Sequence, residues 1–125
     1  MVNTLNPFPT PPGVKPKVRV YDLKARLDWG EPALTILDVR DRKQFNQEHI
    51  LGAISMPADE LMRQAEASLE KDRDIYVYGE TDDETAVAAV LLREVGYANV
   101  AELRGGLAAW KAVGYPSESI EPDRG

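Results

Sequence analysis

The sequence predicts an α/β domain with a mainly parallel five-stranded sheet flanked by helices. Three observations carry this prediction. Residues 34–39 and 75–78 are nearly continuous apolar or aromatic runs, as expected of strands buried on both faces. Between such runs lie segments whose apolar residues recur three or four apart, the spacing of one helix face. Strand-like and helix-like segments alternate along the chain, which is the pattern of βαβ units and a parallel sheet.

The elements follow in order. Residues 18–20 read as a short strand. Asp22 is placed to cap a helix that carries Leu23 and Leu27 four apart on one face. Residues 34–39 form the first buried strand, and residues 41–48 a short polar helix. Residues 53–56 give a brief strand, and Leu61, Met62, Ala65 and Leu69 a helical stripe. Residues 75–78 are the clearest strand. Their alternation puts Tyr76 and Tyr78 on one sheet face, with Ile75 and Val77 on the other. Residues 85–95 are the clearest helix, with Val87, Val90, Leu91 and Val95 assigned to its inner face and Gly96 at C′. Residues 99–102 give the last strand. Leu107 and Trp110 mark a last helix, closed by Gly114 and Pro116.

The chain of 125 residues suits one ordinary domain. Residues 1–16 hold Pro7, Pro9, Pro11, Pro12 and Pro16, which predicts an extended, flexible arm. A docking ligand is the sharper alternative for that arm. The domain is placed at residues 17–118, and residues 119–125 are a polar tail expected to fray. There is no internal repeat.

Asp and Glu number 21 against 15 Lys and Arg, a formal net charge of -6. An acidic surface argues against nucleic acid and against anionic membranes. No window approaches the ~18 apolar residues of a membrane span. The first residues have neither the basic start nor the apolar core of a secretory signal, so the cytoplasm is the expected compartment. The chain has no cysteine, which removes disulfides, thiolate nucleophiles and cysteine zinc sites.

Sites in parallel sheets form at the carboxyl ends of strands. That directs attention to the turn after residues 75–78: Gly79, Glu80, Thr81, Asp82, Asp83 and Glu84, with Thr85 opening the helix. A strand running through a tight turn into a helix N-terminus is an anion cradle, and a cysteine at its start would be held as thiolate.

Three segments resemble one known family. The first is Leu37-Asp38-Val39-Arg40, then Phe45, then His49 through Ile54 and Pro57. The second is the strand, loop and helix over 75–95. The third holds Gly96-Tyr97, Asn99-Val100, Leu103, Gly105-Gly106, Ala109-Trp110 and Gly114-Tyr115-Pro116. Their order and spacing over roughly 17–118 resemble a rhodanese homology domain. The resemblance implies a fold of the predicted class. It also implies sulfur transfer through a cysteine persulfide, with an arginine near the loop's end binding the anionic donor. This chain has Gly79 in place of that cysteine and Glu84 in place of that arginine.

Both departures bear on chemistry. Gly79 offers no nucleophile, so no covalent intermediate forms there. Four carboxylates stand where a donor anion wants positive charge. Two unit charges ~6 Å apart interact by roughly 3 kcal/mol at an effective dielectric near 20, before solvent screening. The expected role is therefore a catalytically inactive binding or regulatory module. Its vestigial loop is residues 79–84, and its candidate binding residues are Asp38, Arg40, Gly79, Glu84 and Thr85. No cofactor is expected. The acidic loop reads as a solvated turn, a docking surface for a protein partner with a basic surface, or a divalent-cation site. A sulfurtransferase-related enzyme working with a partner's thiol is the remaining alternative.

Other residues carry plainer readings. Asp38 and Arg40 are expected as an internal ion pair, with the pocket rim as the alternative. His49, the only histidine, lacks an evident nucleophile to serve and is expected to be structural. Gly105-Gly106 lacks the third glycine of a dinucleotide fingerprint and is expected to turn the chain into the last helix. Trp110 is expected in the core.

Overall fold

The computed structural model describes residues 16–30 and 33–120. The arm expected at 1–16 falls outside these residues except for Pro16, whose carbonyl accepts from Glu102 N at 2.8 Å. Of the expected tail, residues 119 and 120 are described, and Ile120 N donates to Asn46 O at 2.8 Å.

Twelve elements follow one another: β1 (Lys17–Val18), α1 (Val20–Asp28), β2 (Leu34–Asp38), α2 (Arg42–Gln47), β3 (His49–Ile50), β4 (Ile54–Ser55), α3 (Leu61–Ser68), β5 (Asp74–Tyr78), α4 (Asp82–Glu94), β6 (Val100–Leu103), α5 (Gly106–Ala112) and β7 (Ser117–Glu118). The five-stranded sheet has the order β1-β6-β5-β2-β4, and every neighbouring pair is parallel. A separate antiparallel pair joins β3 to β7. This clasp leaves no local signature, because two-residue strands carry too little pattern to read.

The sheet is covered on both faces. Tyr76, Tyr78, Ala101 and Leu103 face one core with Leu23 of α1, Phe45 of α2 and Trp110 of α5. Leu37, Ile75, Val77 and Val100 face the other with Leu61 and Ala65 of α3 and Ala88, Ala89 and Leu92 of α4. The two tyrosines thus share one face, and Trp110 is fully buried.

Three local readings are corrected. Val20 begins α1 rather than ending a strand, and Arg19 takes the cap position. Asp22 sits one turn in, where its carboxylate accepts Arg19 N at 3.0 Å. The inner face of α4 is Thr85, Ala88, Ala89 and Leu92, while Val87 and Val90 are 60% and 47% exposed. Alanines let the helix backbone approach the sheet closely, and burial of Leu92 contributes about 1.5–3 kcal/mol. Finally, α4 starts at Asp82, so three residues read as loop belong to its first turn. Thr81 caps it, its hydroxyl accepting Glu84 N at 3.1 Å.

The far end of α4 closes as expected at Gly96, whose φ is +103°. Gly96 N donates to Arg93 O at 3.0 Å and Tyr97 N to Leu92 O at 3.1 Å, the paired bonds of a Schellman ending.

Candidate functional site

β2 and β5 lie side by side in register, with Asp38 opposite Tyr78. Their carboxyl ends deliver residues 39–41 and 79–81 to the same end of the sheet. The candidate site is built there.

Asp38 is fully buried at the end of β2. Its carboxylate accepts Arg40 N at 2.9 Å, Arg40 Nε at 3.0 Å and Arg40 Nη2 at 2.7 Å. Arg40 Nη2 also donates to Glu48 O at 2.7 Å, and its guanidinium lies 5.6 Å from the Tyr78 ring centre. Burial works against the Arg40 charge. The hydrogen bond and charge of Asp38 outweigh it and raise the Arg40 pKa. Tyr78 is also pushed upward, first by burial and then by Asp38, so its phenol stays protonated. Its oxygen accepts Ile50 N at 3.1 Å. Asp38 and Arg40 are thus an internal ion pair that fixes the floor of the site.

The loop after β5 binds itself. Gly79 N donates to Thr85 Oγ1 at 2.8 Å, and that hydroxyl donates to Thr81 O at 3.0 Å. Glu80 N donates to Glu84 Oε1 at 3.1 Å. Thr81-x-x-Glu84 is a capping-box spacing, with the Glu84 carboxylate bonding one residue before the cap. Three of the turn's backbone donors, Gly79 N, Glu80 N and Glu84 N, are therefore occupied by the loop's own side chains.

The acids are also partnered. Glu80 Oε1 accepts Gln44 Nε2 at 3.0 Å and lies 3.9 Å from Arg40 Nη1. Asp82 Oδ1 accepts Gly105 N at 2.9 Å, and Asp82 Oδ2 lies 3.2 Å from Arg104 Nε. Asp83 is exposed on the first turn of α4, where the helix dipole favours negative charge. Glu80, Asp82 and Glu84 are thus locally satisfied carboxylates. Among the described residues, no three or more His, Asp or Glu side chains gather to hold a metal ion.

Beside Gly79 opens a cavity of about 210 Å³. Arg40, Glu80 and Lys111 bring charge to its wall, Gly79 and Gly105 bring backbone, and Leu107 and Ala108 bring apolar surface. Lys111 Nζ is held by Glu48 Oε1 at 2.5 Å, and Glu48 Oε2 accepts Ser117 Oγ at 2.6 Å. Lys111 first and Ser117 next hold the Glu48 carboxyl below the usual range. The sequence reading missed the contribution of α5, since only the fold brings residues 105–111 next to 79. Asp38, Arg40, Gly79, Glu84 and Thr85 do converge at this sheet end, but of the five only Arg40 and Gly79 line the cavity.

Gly105 has φ +82°, and a Cβ there would meet Ala109 Cβ at 2.5 Å. Glycine is required at that turn by both conformation and space. His49 is buried and stacked on Phe45 with ring centres 3.7 Å apart. Its Nδ1 lies 2.6 Å from Phe45 O and its Nε2 3.1 Å from Glu118 Oε2. Nε2 thus reaches across the β3–β7 clasp, while Nδ1 ties β3 back to α2.

Comparison with known proteins points one way. A family profile described as Rhodanese-like domain matches residues 19–113. A crystal structure of the Alr3790 protein from Anabaena sp. is 56% identical, with TM-score 0.82, covering 86% of this chain and 96% of that one. The thiosulfate sulfurtransferase PspE of Escherichia coli is 39% identical over 57% of this chain and 68% of its own length. The uncharacterized protein YqhL of Bacillus subtilis is 32% identical over 60% of this chain, which spans only 59% of that relative. Among the described residues, no helix is long and apolar enough to cross a membrane.

Proposed function

The chain belongs to the rhodanese-like domain family, and from that premise we propose that it is a catalytically inactive member serving as a binding or regulatory module. One observation carries the reading. At the position of the family's cysteine stands Gly79, and the adjoining Glu80 N–H is taken by the chain's own Glu84. A scaffold that keeps its sulfurtransferase-like frame while lacking a nucleophile and turning Glu84 onto its own loop is suited to holding a partner. The acidic balance of the chain suits a partner with a basic surface. The direct experiment is a thiosulfate sulfurtransferase assay on the purified chain with cyanide as acceptor. The expected result is turnover at background, and sustained thiocyanate formation would overturn the reading.

The cavity beside Gly79 favours a second reading. Arg40 and Lys111 line a space into which a partner's thiol could be lodged. On that reading the chain assists a sulfurtransferase whose cysteine lies on another protein. Adding a small-molecule persulfide and following Gly79 and Leu107 amide shifts tests it. Shifts at both amides support it, and unchanged amides at saturating persulfide remove it.

A further inference from the structure

We propose that the solvent face of α4 is a docking surface for a basic amphipathic helix of a protein partner. The inference rests on the binding-module reading and assigns it a surface outside the vestigial loop. Asp83, Val87, Val90 and Glu94 stand at i, i+4, i+7 and i+11, so they form one line about 16 Å long on the exposed side of the helix. The order along this line is acid, valine, valine, acid. Val87 and Val90 are 60% and 47% exposed, while the opposite face is buried.

The two valines of this line are poorly explained by folding. Valine is a weaker helix former than alanine or the long polar residues, because its branched side chain is restricted by the preceding turn. On an exposed helix face that cost is not offset by burial in the domain, and a local choice that opposes local structure marks a functional surface. Met62, exposed on the neighbouring α3, adds apolar surface at the same side of the sheet.

Charge decides the occupant. The exposed charged residues of α4 are Asp83, Glu84 and Glu94, all acidic. Arg93, half-buried, is drawn back to the sheet, donating to Val100 O at 2.9 Å. A second copy of this face would set carboxylates against carboxylates, so self-association is disfavoured. A helix carrying Lys or Arg one turn outside two apolar residues matches both the spacing and the sign, and seats its apolar pair over the valines.

The test uses the full chain labelled with ¹⁵N and a synthetic helical peptide with Lys at positions 1 and 12 and Leu at positions 5 and 8. Amide shifts are expected to cluster on residues 83–94. Val87→Ser with Val90→Ser should weaken binding by about tenfold. Asp83→Lys with Glu94→Lys should shift preference to the peptide made with Glu in place of Lys. Shifts confined to Gly79, Gly105 and Leu107 would overturn the surface while leaving the binding-module reading standing. A peptide that moves no amide at millimolar concentration would overturn the surface and remove the support for a basic partner. Unchanged affinity in both double variants would also overturn the surface.

Discussion

Glu84 stands over Gly79: a Cβ added at residue 79 would meet Glu84 Cβ at 3.1 Å, Val39 Cγ2 at 3.3 Å and Glu84 Oε1 at 3.4 Å. The missing nucleophile and the acidic replacement are therefore one steric and electrostatic unit. Gly79→Cys alone should give a thiol crowded by a carboxylate, which disfavours the thiolate. Thiolate attack on the outer sulfur of thiosulfate would release sulfite, and cyanide would carry the sulfur away as thiocyanate and restore the thiolate. We expect that cycle to stay near background in Gly79→Cys and to rise in Gly79→Cys with Glu84→Arg. Equal thiocyanate formation by the two variants would show that Glu84 does not control the site.

The Thr81 cap should be worth measuring alone. Thr81→Ala removes the hydroxyl that accepts Glu84 N at the start of α4. The expected loss is about 1 kcal/mol in urea unfolding. An unchanged midpoint would mean that the first turn is held by the acids alone.

Asp38 and Arg40 should behave as a pair. Asp38→Ala leaves a guanidinium whose side chain is only 8% exposed without its carboxylate. Breaking such a pair costs about 3–5 kcal/mol, whereas replacing both partners by apolar residues costs less. Asp38→Leu with Arg40→Met is therefore expected to melt above Asp38→Ala. A double variant less stable than the single one would contradict this account.

Glu48 links stability to acid. Its folded carboxyl is held below the usual range by Lys111 and then Ser117, so folding favours the ionised form. That contribution is complete above the ordinary glutamate pKa of about 4.3 and is lost as pH falls through the lower folded value. Urea midpoints of the parent and Lys111→Met should differ at pH 7 and converge as the pH drops below ~4. A gap that is constant from pH 7 to 3 would remove Glu48 from the explanation.

Gly105 tests the turn into α5. Gly105→Ala introduces both a left-handed alanine and a 2.5 Å approach to Ala109 Cβ. The expected destabilisation is about 1–3 kcal/mol, seen as a lower Tm. Full stability in this variant would require the turn to adopt another conformation.

The sequence made the central sheet legible because β2 and β5 are dense in apolar and β-branched residues with clear ends. It misled on α4, where hydrophobicity alone ranks Val87 and Val90 above Ala88 and Ala89. The packing rewards small side chains that admit close approach, and a periodicity argument does not see that. Val20 misled in a similar way, since its strand propensity yielded to the turn closed by Asp22 on Arg19. At the site, the loop and the Asp38–Arg40 pair were visible as a motif. The Thr81-x-x-Glu84 spacing signals a Glu84 that turns back toward the cap, but it points to Thr81 N and not to the Glu80 N that Glu84 takes. The α5 wall of the cavity and the His49–Glu118 clasp depend on contacts between distant parts of the chain, which no local pattern encodes.

The strand order has a temporal consequence. Among the described residues β1, near the start of the domain, pairs with β6, near its end, and with no other strand. During synthesis from the N-terminus, that edge of the sheet has no partner until almost the whole domain has emerged. Parallel pairing across such separations is slow, and strand edges waiting for it are exposed to wrong partners. The nascent chain should therefore hold β1 as an open end while β2 and β5 associate. Seating of β1 on β6 then becomes a late event in acquiring the native state.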